Sequence, residues 1–111
     1  MAGATIDAGR FRHAVVLERP LSGADGAGGT IAGFAAEADL FALVEPGAAE
    51  PAEDTGFALP YRRMAVTIRF RPGVTAGSRF RLGDRLLDIE HAFDPDETGR
   101  YIRCLCREEG P

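Results

Sequence analysis

Arginine is the residue type in this chain whose spacing points most directly to chemistry. All 13 basic residues are arginine. Seven of them (Arg62, Arg63, Arg69, Arg71, Arg79, Arg81 and Arg85) fall in one stretch that holds a single acid, Asp84. Arg69 and Arg71, like Arg79 and Arg81, are two residues apart, which places each pair on one side of an extended chain. Guanidinium forks bind carboxylates and phosphates through two parallel hydrogen bonds, so such a row suits an acidic neighbouring subunit or a nucleic-acid backbone. A solvated sheet face is the competing reading. Arginine without lysine, amid abundant Ala and Gly, is also what a GC-rich coding sequence produces. Between Glu45 and Asp54 the balance reverses, with Glu45, Glu50, Glu53 and Asp54 and no base. In a homomeric ring that stretch could meet a neighbour's arginine row. Facing DNA, it would repel the backbone, which suits a channel wall better than a binder.

The other constellations favour no catalytic or metal site. Asp25-Gly-Ala-Gly-Gly29 is followed by Thr30-Ile31, where a phosphate-binding loop needs Lys and then Ser or Thr, so it reads as a hairpin loop. His13, His91, Cys104 and Cys106 could be assembled into a zinc set on paper. Structural zinc, however, takes both thiolates from a turn, whereas C-x-C in a strand points both sulfurs to one side. Ile102, Cys104 and Cys106 read instead as an apolar face. Asp94-Pro-Asp-Glu-Thr-Gly99 opens like a calcium loop, but Leu105 stands where the bidentate Glu belongs, and a turn is the better reading. Ser22 and Ser78 lack a glycine elbow, and buried thiols are not activated nucleophiles. The expectation is a non-enzyme with no catalytic residue, no metal and no cofactor.

The elements that must carry these residues are strands. In Met64-Ala-Val-Thr-Ile-Arg-Phe-Arg71, Met64, Val66, Ile68 and Phe70 alternate with Ala65, Thr67, Arg69 and Arg71, the pattern of a half-buried strand. Phe80 and Leu82 alternate with Arg79 and Arg81, and the two runs are expected to neighbour each other at the centre of the fold, with Phe70 and Phe80 on the apolar side. Arg12 to Arg19 is a further strand stopped by Pro20. Phe34 to Val44 suits helix or strand, and the β-rich context favours a strand from about Asp39 to Glu45. Arg85 to Phe93 and Arg100 to Arg107 complete the set. Residues 46–60, rich in Pro, Gly, Ala and acid, read as a surface loop long enough to need a functional reason. The fold class expected is all-β: a small antiparallel barrel or sandwich of about six strands in one domain, residues 1–111, with a flexible arm at 1–9.

A formal net charge of −4 argues against a global field for nucleic acid. Two cysteines make no disulfide framework, and no apolar run approaches the ~18–20 residues that cross a bilayer, so a cytosolic product with no membrane partner is expected.

The order of the pieces is itself informative. Gly9-Arg-Phe-Arg-His13 leads into Val15-Val-Leu-Glu-Arg-Pro20, then Asp25 to Gly29, Ala42-Leu-Val-Glu-Pro46, Val66-Thr-Ile-Arg-Phe-Arg71, Ile89 and Cys106-Arg-Glu108. This series resembles the head-tail joining (head-completion, stopper) proteins of tailed phages, prophages and phage-like gene transfer agents over nearly the whole chain, although the Trp common there near Phe34 or Phe41 is absent. The resemblance implies a β-barrel that forms a homo-oligomeric ring below the portal and its adaptor, retains packaged double-stranded DNA and offers the tail terminator or tail protein a surface. It implies assembly in the bacterial cytoplasm and residence in the particle's neck. By position, the loop that points into the channel would comprise Glu45, Pro46, Glu50, Glu53, Asp54, Phe57 and Tyr61. Arg69, Arg71, Arg79 and Arg81 are then the candidate intersubunit or adaptor face. The rivals are a tail-terminator-side joining subunit and a small nucleic-acid-binding barrel.

Overall fold

The computed structural model describes residues 8–21, 33–47 and 61–109. A short 3-10 turn, Ala8–Arg10, precedes six strands: β1 His13–Pro20, β2 Phe34–Pro46, β3 Tyr61–Arg69, β4 Arg79–Leu82, β5 Arg85–Phe93 and β6 Tyr101–Glu109. All pairings are antiparallel, and the order β1-β2-β3-β6-β5-β4 closes on itself into a barrel. The all-β expectation therefore holds, in its barrel form. Closure gives each of the six described strands a partner on both sides, the device by which small β proteins limit exposed edges.

Alternation builds the interior. Leu17 of β1, Val66 and Ile68 of β3, Phe80 of β4, Leu87 of β5 and Cys104 of β6 are fully enclosed. A six-stranded barrel has room for side chains and little else, so one inward residue from each turn of the wall fills it. β4 and β5 are joined by Gly83-Asp84, since Leu82 pairs with Arg85. Gly83 has φ of 61° there, the left-handed conformation that a two-residue hairpin demands and glycine adopts without strain.

Three sequence expectations are corrected. The strand expected from about Asp39 to Glu45 is there but starts earlier: β2 runs for 13 residues from Phe34, because β1 pairs with it as far as Pro20 opposite Phe34. The runs 64–71 and 78–82 are not neighbours. Both edges of β3 are taken by β2 and β6, while β4 bridges β1 and β5 across the barrel. Phe70 is not in the core with Phe80 but 52% exposed, because β3 ends at Arg69 and Pro72-Gly73 turns the chain away. The half-buried pattern also fails locally, for Ala65 and Thr67 are buried although they face outward.

Two bulges break the ladder. Leu17 pairs with Ala38 but Glu18 with Ala36, which leaves Glu37 as the extra residue of β2. Ile89 pairs with Cys106 but His91 with Leu105, which leaves Glu90 as the extra residue of β5. A bulge re-aims its unpaired side chain. Here both re-aimed side chains are glutamates that reach arginines on neighbouring segments.

Candidate functional site

The four arginines singled out by spacing divide into two situations. Arg79 and Arg81 flank Glu18 across the β1–β4 seam: Arg79 Nε donates to Glu18 Oε1 at 2.7 Å and Arg81 Nε to Oε2 at 2.9 Å. The Arg79 guanidinium also lies 3.8 Å from the centroid of the Phe34 ring. Burial by itself pushes the Glu18 carboxyl up, but the two hydrogen bonds and the two positive charges outweigh it and hold the group below its ordinary value of 4.5. Arg71 reaches Glu37 at 3.2 Å, with its Nε buried and lacking a hydrogen-bond partner among the described residues.

Arg69 is exposed and has no carboxylate partner among the described residues. Arg103, half-buried and likewise without a carboxylate among the described residues, donates its Nε to the Thr67 hydroxyl at 3.3 Å. Thr67 pairs with Arg103 and Arg69 with Tyr101, so both guanidiniums stand on the outer side of the β3–β6 pair. Directly opposed residues share a face, and the registers carry that face across four strands as Leu43, Thr67, Arg103 and Phe93. The next row is Glu45, Ala65, Leu105 and His91. Phe41 is 65%, Leu105 39% and Phe93 37% exposed. The chain before β1 reaches this side as well, with Phe11 set edge-on to Tyr101 at 5.6 Å between ring centroids and Arg10 3.8 Å from Glu45.

Other carboxylates hold most of the remaining arginines. Glu108 takes Arg85 through two bonds of 2.7 and 2.8 Å; the hydrogen bond, and then the charge, lower the Glu108 carboxyl and raise the Arg85 guanidinium. Glu90 lies 3.7 Å from Arg63 and 3.8 Å from Arg107. Of the expected channel-loop residues, Glu45 and Pro46 end β2 and Tyr61 opens β3. They frame the loop, whereas Glu50, Glu53, Asp54 and Phe57 lie outside the described residues, as does Asp25 to Gly29. At the loop's base Gly47 donates to the Arg63 carbonyl at 2.8 Å, and a Cβ on Gly47 would sit 3.2 Å from the Arg63 backbone. A side chain there would need the Arg63 backbone to shift by a few tenths of an ångström.

The two thiols point into the barrel. Burial pushes Cys104 up to about 12 and Cys106 higher still, so neither supplies a thiolate near neutral pH. His13 and His91 lie exposed on the wall, and no metal-holding group of His, Cys, Asp or Glu occurs among the described residues. Asp94 accepts from the amides of Glu97 and Gly99 at 2.8 and 2.7 Å, which closes Asp94 to Gly99 as a turn. No helix among the described residues is long and apolar enough to cross a membrane.

Composition and periodicity gave no sign of the roles of Glu18 and Glu37. Pairing of Glu18 with β4 is set by barrel closure, and Glu37 reaches Arg71 only through a bulge. Arg103 was legible as an outward residue between Ile102 and Cys104, which share the interior with Val66 and Ile68.

Against that geometry the comparisons are specific. The model of the phage head completion protein family matches residues 6–109. The chain belongs to that family. Among solved structures, a chain in the virion of a native gene transfer agent particle is similar at 30% identity and a TM-score of 0.69, covering 90% of this chain and 96% of that one. A Shigella flexneri 2a protein solved in solution shares the fold at 24% identity and a TM-score of 0.68, covering 93% of this chain and 96% of its own. No curated protein matches. Family membership assigns the chain a structural part in phage head-tail joining, in association with other components of the particle.

Proposed function

We propose that this protein is the head-closing connector subunit of a phage or gene-transfer-agent particle. Copies form a ring below the portal and adaptor, retain the packaged DNA and present the surface to which the tail is joined. The observation that carries this reading is the span of the likeness: the family match runs from residue 6 to 109, and the chain in the gene transfer agent particle is matched over 96% of its length. The likeness thus covers nearly the whole of both chains. In the ring, residues 45–61 face the channel and the arginine-bearing walls meet a neighbouring subunit or the adaptor, each subunit making two heterologous contacts.

The test is electron microscopy, with a DNA assay, of particles from a strain lacking the gene, with and without the purified protein. Tailless heads that have lost DNA, restored to tailed particles by the protein, are the expected result; normal tailed particles without the gene would remove the connector reading. Deleting residues 48–57, which spares the Gly47 amide bond and both flanking strands, should leave the barrel folded by circular dichroism and reduce DNA retention. A nucleic-acid-binding barrel gains one observation, the exposed Phe70 between Arg69 and Arg71, since bases stack on exposed aromatics. A gel-shift titration with single-stranded DNA distinguishes it.

A further inference from the structure

The outer side of β2, β3 and β6 is more closed than a barrel wall needs to be. Leu43, Ala65 and Tyr101 lie on the outward rows and outside the interior cluster, yet each is buried, and so is Thr67. The described chain supplies part of the cover. Residues 8–12 precede β1 and cross to this wall: Phe11 sets its ring edge-on to Tyr101, and Arg10 reaches Glu45 at 3.8 Å. The Arg12 amide donates to the Arg10 carbonyl at 2.9 Å, a bond inside the segment that it keeps wherever it lies. Its side chains meet the wall through a ring pair and an ion pair whose members are 57% and 39% exposed. Neither kind of contact fixes a segment firmly.

We propose that residues 8–12 form a strap that is exchanged between copies of the chain. In the ring, on which this inference rests for its setting, the strap of each subunit seats Phe11 against Tyr101 of the next. A second copy is the occupant because the seat already fits this segment. Exchange breaks and remakes the same ring contact and ion pair, so the two arrangements differ in tether and not in contacts, the condition under which swapping an identical element costs little. Concentration then decides between them. A short tether holds the strap at an effective concentration in the millimolar range, and neighbours fixed side by side match it. Each copy gives its strap to one neighbour and receives one from the other, the head-to-tail pattern that closes a ring. Phe41, Phe93 and Leu105, exposed on the same side, extend the apolar surface that the neighbour covers.

The test is thiol cross-linking of the full-length protein in solution. Arg12→Cys places a thiol on the strap, and Arg69→Cys places one on the wall opposite Tyr101; Cys104 and Cys106 are buried and unreactive near neutral pH. Combined in one chain at micromolar protein, the two substitutions should close an internal bridge through a short bismaleimide. Mixed as separate proteins at about 1 mM, they should give a covalent heterodimer about fivefold or more above the background of Arg12→Cys mixed with Arg81→Cys, on the β1–β4 seam. Adding Phe11→Ser to the strap-bearing protein should return the yield to that background, with the fold unchanged by circular dichroism. A heterodimer no more abundant than background, or one indifferent to Phe11→Ser, would overturn the exchange, and failure of the internal bridge would overturn the seat. Particle complementation decides the ring reading separately, since the cross-link is read without particles.

Discussion

The β1–β4 and β3–β6 seams of the barrel carry the same residue in the same alternation and use it differently. At β1–β4, two guanidiniums enclose one carboxylate that is 9% exposed, at hydrogen-bond distance from both. At β3–β6, Arg69 and Arg103 stand beside exposed phenylalanine with no carboxylate among the described residues. The first seam holds the barrel closed at its shortest strand; Arg69 and Arg103 of the second lie on a long ladder without an ion pair among the described residues and present charge and apolar surface together. Arginine on a strand is therefore not one signal, and its meaning depends on whether barrel closure delivers a glutamate to it.

The largest effect should come from taking the carboxylate out of the first seam. Glu18→Ala leaves Arg79, largely buried, without its partner, and breaking a buried pair from one side costs about 3 kcal/mol. Urea unfolding measures it, and a loss below about 1 kcal/mol would put the two seams on one footing and end the contrast. Glu18→Gln keeps the shape and isolates the charge. Acid titration extends the comparison. The Glu18 and Glu108 carboxyls sit below their ordinary 4.5 when folded, so the unfolded chain binds more protons and stability rises with pH through that window. Their contribution is complete above about 4.5 and disappears as pH falls through the depressed values. Stability measured from pH 6 to 3 should decline in the native protein and decline less in Glu18→Gln; parallel curves would mean that Glu18 is not the group responsible.

The fold was legible to the extent that periodicity decides it. β3 announces its inward face at Met64, Val66 and Ile68, β6 at Ile102, Cys104 and Cys106, and the turn at Asp94 to Gly99 is written in residues that bond their own backbone. What alternation does not encode is which strand lies beside which. The runs 64–71 and 78–82 looked like neighbours because each alternates apolar residues with Arg-x-Arg, yet closure sends β3 and β4 to opposite sides and gives Arg79 and Arg81 to Glu18. Bulges hide in the same way, since one added residue at Glu37 or Glu90 leaves the hydrophobic pattern readable on both sides of it. Phe70 misled for a simpler reason: it keeps the inward phase of β3 one residue beyond the point where there is a barrel to be inside.

The smallest effect on folding belongs to the second seam, and that smallness is its test. Arg69→Ala removes a side chain with no carboxylate, and Phe41→Ser removes an exposed ring, so each should change the unfolding free energy by no more than about 0.5 kcal/mol. A β3–β6 face that served the isolated fold would show larger losses, comparable to that of Glu18→Ala. If instead this face serves assembly, the same two variants should fold normally and fail in particles, with tailed-particle yield falling while the monomer's urea curve overlays the native one. Arg81→Ala is the internal control. Its side chain is 44% exposed, so it should cost the fold about 1 kcal/mol, a limit set by solvent screening, and leave particle yield higher than Arg69→Ala does. A reversal of that order, with Arg81 decisive for particles and Arg69 for stability, would mean that the open seam and the closed seam have been assigned the wrong way round.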